Sequence, residues 1–270
     1  MNSERLEKVE ELSIHIYREP SVTNLNFDEL ASYPEEKIPF VEITTRGPPE
    51  ANQELETGRL AEKFARTKVK SVESPEKNSN PLYGEIKYEE GLIENPSKDV
   101  SGVMYDGHLL SRIYHRLLPE EETDASHLHI IFTKRLFGTW GEKGGRYHAR
   151  VSLYSYPTLI STSGIVEAPA KPKEFYREKR QLASLGDTGG TIERLKEKFE
   201  GRFIDYDDER LTEVMKGYVM QALFYHLRSD PFCEKECCRL YNAHWQEEVI
   251  RAQLDPPEFC EKHRKILEEL

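Results

Sequence analysis

The chain has only four cysteines in its 270 residues, and all of them lie between positions 233 and 260. It has no apolar run near the roughly 18 residues of a membrane span. Its opening, MNSERLEKVEELSIHIYR, is charged where a secretory leader needs an apolar stretch. These absences lead us to expect a cytoplasmic protein without a membrane segment, where thiols stay reduced and clustered cysteines mean metal or free thiols rather than disulfides. Positive charge is also short. The 38 Lys and Arg against 49 Asp and Glu leave a net charge of -11, which argues against non-specific nucleic-acid binding. No GxGxxG, phosphate loop, nucleophile elbow or paired-carboxylate motif occurs. Aromatic residues, at 10%, are plentiful enough for a real core.

Alternation of apolar and polar residues predicts strands over Ser13–Arg18, Ile38–Thr44 and Arg146–Tyr154, and an apolar run predicts a buried strand over Leu128–Thr133. The glycines between the last two predict a turn-rich hairpin connection. Helices are expected at Phe27–Ser32, capped by Asn26, and at Leu55–Thr67, Leu109–Leu117 and Ile192–Phe199. Residues 70–102, rich in Ser, Glu, Lys, Asn and Pro, read as an exposed insertion or hairpin. Residues 160–176, with two prolines, read as a surface segment, and 186–190 as a loop. The fold class is α/β or α+β, a mixed sheet with flanking helices forming one domain over 1–270.

The chemistry concentrates in residues 207–270. Leu211, Val214, Met215, Tyr218, Val219, Ala222, Leu223 and His226 recur at three- and four-residue steps and predict a long helix, capped by Asp207 and stopped by Pro231. After it come Cys233, Cys237, Cys238, Cys260 and His263. Two short-spaced pairs of soft donors can wrap one tetrahedral zinc, and we read Cys233, Cys238, Cys260 and His263 as a structural site, with Cys237 able to replace Cys238.

This spacing resembles the archaemetzincins, a family of zinc metallopeptidases in which an HExxHxxG helix directly precedes a Cys-rich zinc motif. On that resemblance Cys233 and Cys238 take the first structural pair and Cys260 and His263 the second, one Cys having become His. The 21 residues between Cys238 and Cys260 are about two more than the family pattern has. The catalytic half is degenerate. The first ligand position falls on Ala222, the base on Leu223, the second ligand on His226 and the third on Phe232. A zinc peptidase needs three protein ligands and a carboxylate base. The resemblance therefore implies a zincin-like fold with a metzincin-like central helix, one structural zinc and a pseudoenzyme that binds a peptide or protein partner instead of cleaving it.

Two alternatives stand beside that expectation. A metal-dependent hydrolase could use a rebuilt centre at His226 with His244, Glu247 and Glu248, the last three at helical spacing. An anion-binding module could use Arg146, His148 and Arg150, which alternate along one strand and share a face. The neighbouring ISTSG, residues 160–164, adds hydroxyls and amides.

Overall fold

The computed structural model describes residues 12–52, 56–98, 100, 102–184 and 191–270. Strand β1 (Leu12–Tyr17) leads through helix α1 (Phe27–Lys37) to β2 (Val41–Arg46). Helices α2 (Thr57–Arg66) and α3 (Tyr83–Glu94) precede β3 (Met104–Asp106) and α4 (Gly107–His115). Five strands follow: β4 (His127–Thr133), β5 (Leu136–Gly141), β6 (Arg146–Arg150), β7 (Ser152–Leu153) and β8 (Thr158–Ser161). The rest is helical: α5 (Gly164–Glu167), α6 (Lys173–Ser184), α7 (Thr191–Lys198), α8 (Leu211–Arg228), α9 (Gln246–Leu254) and α10 (Glu261–Glu269). No helix among the described residues is long and apolar enough to cross a membrane.

The result is a mixed α/β fold with two mixed sheets. One has the order β2-β1-β4-β8-β7, parallel except for β7, and the other has the order β3-β5-β6. Strand side chains alternate between faces. On β1 and β4, Leu12, Ile14, Ile16, Leu128, Ile130 and Phe132 meet α1 and α8 in the larger core. Tyr17 and Ile131, on the opposite face, join a second core with Leu60, Phe64, Tyr105 and Phe137. Phe175, Leu195, Phe199 and Phe203 make a small third cluster between α6 and α7.

Several expectations change in the folded chain. Asn26 caps α1 as predicted, accepting from the N–H groups of Asp28 and Glu29, but the helix runs through Pro34 to Lys37. Leu30, Tyr33 and Pro34 are buried, so tertiary packing outweighs the missing Pro34 donor. Strand β4 does not form a hairpin with β6. The glycine-bearing stretch LFGTWG is itself β5, the antiparallel partner of β6. Residues 158–161 are a buried strand of the main sheet, not a surface segment, because two-sided burial there suits small and β-branched side chains. Much of 70–102 is exposed, yet it holds a helix where a hairpin was an option, with Glu89 and Leu92 of α3 buried. The loop expected at 186–190 lies outside the described residues. Asp207 does not cap α8. It sits before the helix in a left-handed conformation, φ 61°, and Asp208 accepts from the Arg210 N–H instead.

Candidate metal centre and cleft

The C-terminal donors converge because two short segments fold back on each other. Cys233 N–H donates to Leu240 O at 2.8 Å and Tyr241 N–H to Cys238 O at 2.8 Å, which curls residues 233–241 into a tight knuckle. Arg239 N–H bonds Glu258 O at 2.8 Å and ties the knuckle to the segment before α10. Cys260 is the N-cap of α10 and His263 its third residue, so the two side chains leave the same side of the first turn.

The four donor atoms, Cys233, Cys238, Cys260 and His263, lie within 4.8 Å of one another and could hold a metal ion. Cys233 Sγ is 3.8 Å from Cys260 Sγ, and His263 Nδ1 is 3.5 Å from Cys238 Sγ and 3.2 Å from Cys260 Sγ. The Lys235 N–H points at Cys233 Sγ at 3.3 Å, and Phe224 of α8 packs edge-on against the His263 ring. Cys237 is exposed and Cys238 fully buried, which separates the two adjacent thiols. Burial pushes the Cys238 thiol up to about 12 and raises Cys233 as well. Burial acts against the Cys260 thiolate too, but the backbone N–H of His263 and other donors outweigh it and hold that thiol below its ordinary value. Burial also lowers His263, keeping the imidazole neutral. A neutral imidazole and three thiols, two of them, Cys233 and Cys238, costly to ionise without a nearby cation, fit a soft divalent ion.

The helix before this cluster carries no such set. Ala222 and Leu223 are fully buried in the core, and Phe232 is exposed. His226 donates from Nε2 to Ala125 O at 2.8 Å, and burial lowers its pKa. The rebuilt centre read from spacing is not assembled. Helix α9 starts only at Gln246, so His244 lies outside it, donating from Nδ1 to Asn242 O at 2.8 Å. Glu248 accepts the N–H groups of His244 and Trp245, and Glu247 pairs with Arg202 at 2.6 Å.

Beside α8 lies a cleft of about 220 Å³, lined among others by His148, Arg150, Tyr218, Gln221, Phe232 and His244. Gln221 is 2% exposed. Its Nε2 donates to Arg239 O and Tyr241 O, and Tyr154 donates to its Oε1, so an amide rather than a ligand closes the floor. Arg146, His148 and Arg150 are exposed on one face of β6, and Arg150 donates to Thr139 at 2.9 Å.

A second group escaped sequence reasoning. His15 and His129 face each other across β1 and β4 on the side away from α8, with His127 and Glu122 beside them. His15, Glu122 and His129 offer atoms close enough for an ion. Both Glu122 oxygens, however, are taken by the Arg46 guanidinium at 2.6 and 2.8 Å. His129 bonds Tyr17 OH at 3.2 Å and donates to Glu122 O at 2.8 Å. The guanidinium already supplies the positive charge a cation would bring. The signal in the sequence was a histidine at alternate positions of two buried strands, SIHIY and HLHI.

No curated protein matches the chain. The crystal structure of archaemetzincin from Methanopyrus kandleri at 1.5 Å resolution aligns with 98% of this chain and 97% of its own, at 11% identity and a TM-score of 0.47. A family described as of unknown function, DUF7001, matches residues 15–266, and the chain belongs to that family.

Proposed function

We propose that the chain is a zinc-binding, metallopeptidase-like protein whose cleft holds a peptide or protein segment without cutting it. One observation carries this: the C-terminal clamp has a complete four-donor set, whereas none of the metal-donor groups among the described residues lies in the cleft. A tetrahedral zinc with bonds of about 2.3 Å to sulfur and 2.0 Å to nitrogen needs S···S of about 3.8 Å and S···N of about 3.5 Å. The separations of 3.8, 3.5 and 3.2 Å fit that ion. Cys233, Cys238, Cys260 and His263 would fill every position, so the zinc contributes folding energy and no activated water.

The cleft supplies the binding half. Tyr147 N–H is taken by Val72 O, but beyond it the edge of β6 lines the cleft with no strand partner among the described residues. An extended segment can add there. His148 and Arg150 at the rim favour acidic side chains on that segment, so two of the three residues of the anion-binding reading, though not Arg146, line the same site.

Native mass spectrometry of protein purified without chelator, together with selection from a random peptide library, tests both halves. We expect one zinc, kept in His226→Ala and lost in Cys260→Ser, and acidic extended peptides whose binding falls in Arg150→Ala. No metal would remove the zinc site. A second exchangeable metal lost with His226→Ala, or turnover of selected peptides, would replace binding with hydrolysis.

A further inference from the structure

The cleft beside α8 holds one polar group that the folded chain leaves unanswered. Tyr218 of α8 is 7% exposed and lines the cavity, and its hydroxyl has no hydrogen-bond partner among the described residues. Its neighbour on the helix differs. Gln221, three residues on and so on the same face, gives its Nε2 hydrogens to Arg239 O and Tyr241 O and takes the Tyr154 proton on Oε1. Small and apolar side chains surround the phenol, among them Ala149, Val151, Ala168 and Phe232. Burial raises the Tyr218 pKa above its ordinary value, so the phenol keeps its proton and stands as a donor. A hydroxyl held away from water without an acceptor carries a cost that a ligand's acceptor removes.

The charge around the cavity is of one sign. No Asp or Glu among the described residues lines it, in a chain that has 49 of them. Arg150 at the rim spends Nε on Thr139 at 2.9 Å, and its two terminal nitrogens have no protein partner among the described residues. At about 220 Å³ the cavity is smaller than the roughly 300–1,000 Å³ of sites that enclose a whole small molecule. Its size suits one side chain of a larger ligand.

Resting on the segment-binding role above, we propose that the cavity takes a glutamate side chain of the bound segment. One carboxylate oxygen accepts from the Tyr218 hydroxyl and the other from the Arg150 guanidinium, with the methylenes against Val151 and Phe232. Tyr218 is then the residue that sets specificity. Aspartate is a methylene shorter and leaves the hydroxyl unmet. Glutamine keeps the reach without the charge that Arg150 answers, and leucine fills the apolar part while covering a phenol that has no acceptor.

Calorimetric titration of the whole chain with acetylated, amidated pentapeptides Ala-Val-Xaa-Val-Ala, where Xaa is Glu, Gln, Asp or Leu, tests this. We expect the Glu peptide to bind about tenfold or more tighter than the other three. Tyr218→Phe should weaken the Glu peptide about tenfold and the Leu peptide not at all. The melting temperature of the free variant should not fall, because the deleted hydroxyl had no partner. Equal binding of the Glu and Leu peptides, or of the Glu peptide by Tyr218→Phe and wild type, overturns the glutamate assignment and leaves segment binding standing. A lower melting temperature with loss of all four peptides gives the hydroxyl a structural role and overturns it too. If the free acid of the Leu peptide binds as tightly as the amidated Glu peptide, the carboxylate belongs to a chain end and the glutamate source is refuted. No peptide bound at millimolar concentration removes the segment-binding reading, and this assignment with it.

Discussion

Acid should destabilise this protein well above the range where its carboxylates protonate, and His15 supplies a large share of the effect. The residue is 4% exposed on β1, bonded through Nδ1 to Thr44 Oγ1 at 2.8 Å and through Nε2 to His127 Nδ1 at 3.0 Å. Burial, then the charge of Arg46 and the neighbouring His129, bring its pKa down from 6.5 to about 4, against the opposing pull of Glu122. Between those values the unfolded chain takes up a proton that the folded chain refuses, so stability falls as pH falls. Relative to neutral pH the loss from this residue is about 2 kcal/mol at pH 5, levelling off at about 3 kcal/mol below pH 4. His129, lowered by burial, adds in the same direction.

Urea midpoints for the wild-type chain and His15→Gln, each at pH 7 and pH 5, measure this. Gln keeps polar atoms in place of the imidazole and does not titrate. Acid also strips metal from thiolate sites, so the informative quantity is the difference between the two chains in their pH-dependent loss. That difference should be about 2 kcal/mol, larger than a typical midpoint error. If His15→Gln loses as much stability as the wild type over the same interval, the buried, neutral His15 is wrong.

Three further outcomes follow from particular contacts. Chelation should loosen the knuckle and α10 while sparing β1 and β4, seen as faster amide exchange confined to roughly the last thirty residues. Gly217→Ala places a methyl against the Gln253 side chain, which is 3% exposed and held by its bond to Arg239 O at 2.9 Å. The clash, about 1–3 kcal/mol, should outweigh the roughly 1 kcal/mol gained in helix propensity, and the melting temperature should fall. Arg135→Met removes the shared partner of the half-buried Glu50 and the fully buried Glu89, at 3.0 and 3.2 Å, where Lys68 still reaches Glu89 at 2.9 Å. A loss of about 3–5 kcal/mol in chemical denaturation is expected.

How far the sequence could be read depended on whether each feature was local. Cys233 with Cys238 and Cys260 with His263 are each held by a few residues of knuckle or one helical turn, so spacing alone could suggest the set, and folding had only to bring two pairs together. The central helix was legible for the same reason, since its stripe is a property of one segment. Where spacing reads as helical but the helix begins two residues later, at Gln246, His244 bonds Asn242 O instead of sharing a helical face with Glu247 and Glu248. Strand β5 hid behind its glycines: Gly138 lies so close to the β6 backbone at His148 that an added methyl would clash there, and what resembled a loop signal marks a close pairing. The His15 and His129 group is the opposite extreme. Its members are 114 positions apart, brought together by parallel register, and no period in either strand names the other. Its polarity was nonetheless visible, since a histidine at an inward position of a buried strand must find a partner. In a parallel sheet whose neighbours are distant in sequence, the buried polar residues are therefore the positions at which to seek long-range contacts first, because apolar ones can pack against many surfaces and a buried imidazole needs particular ones.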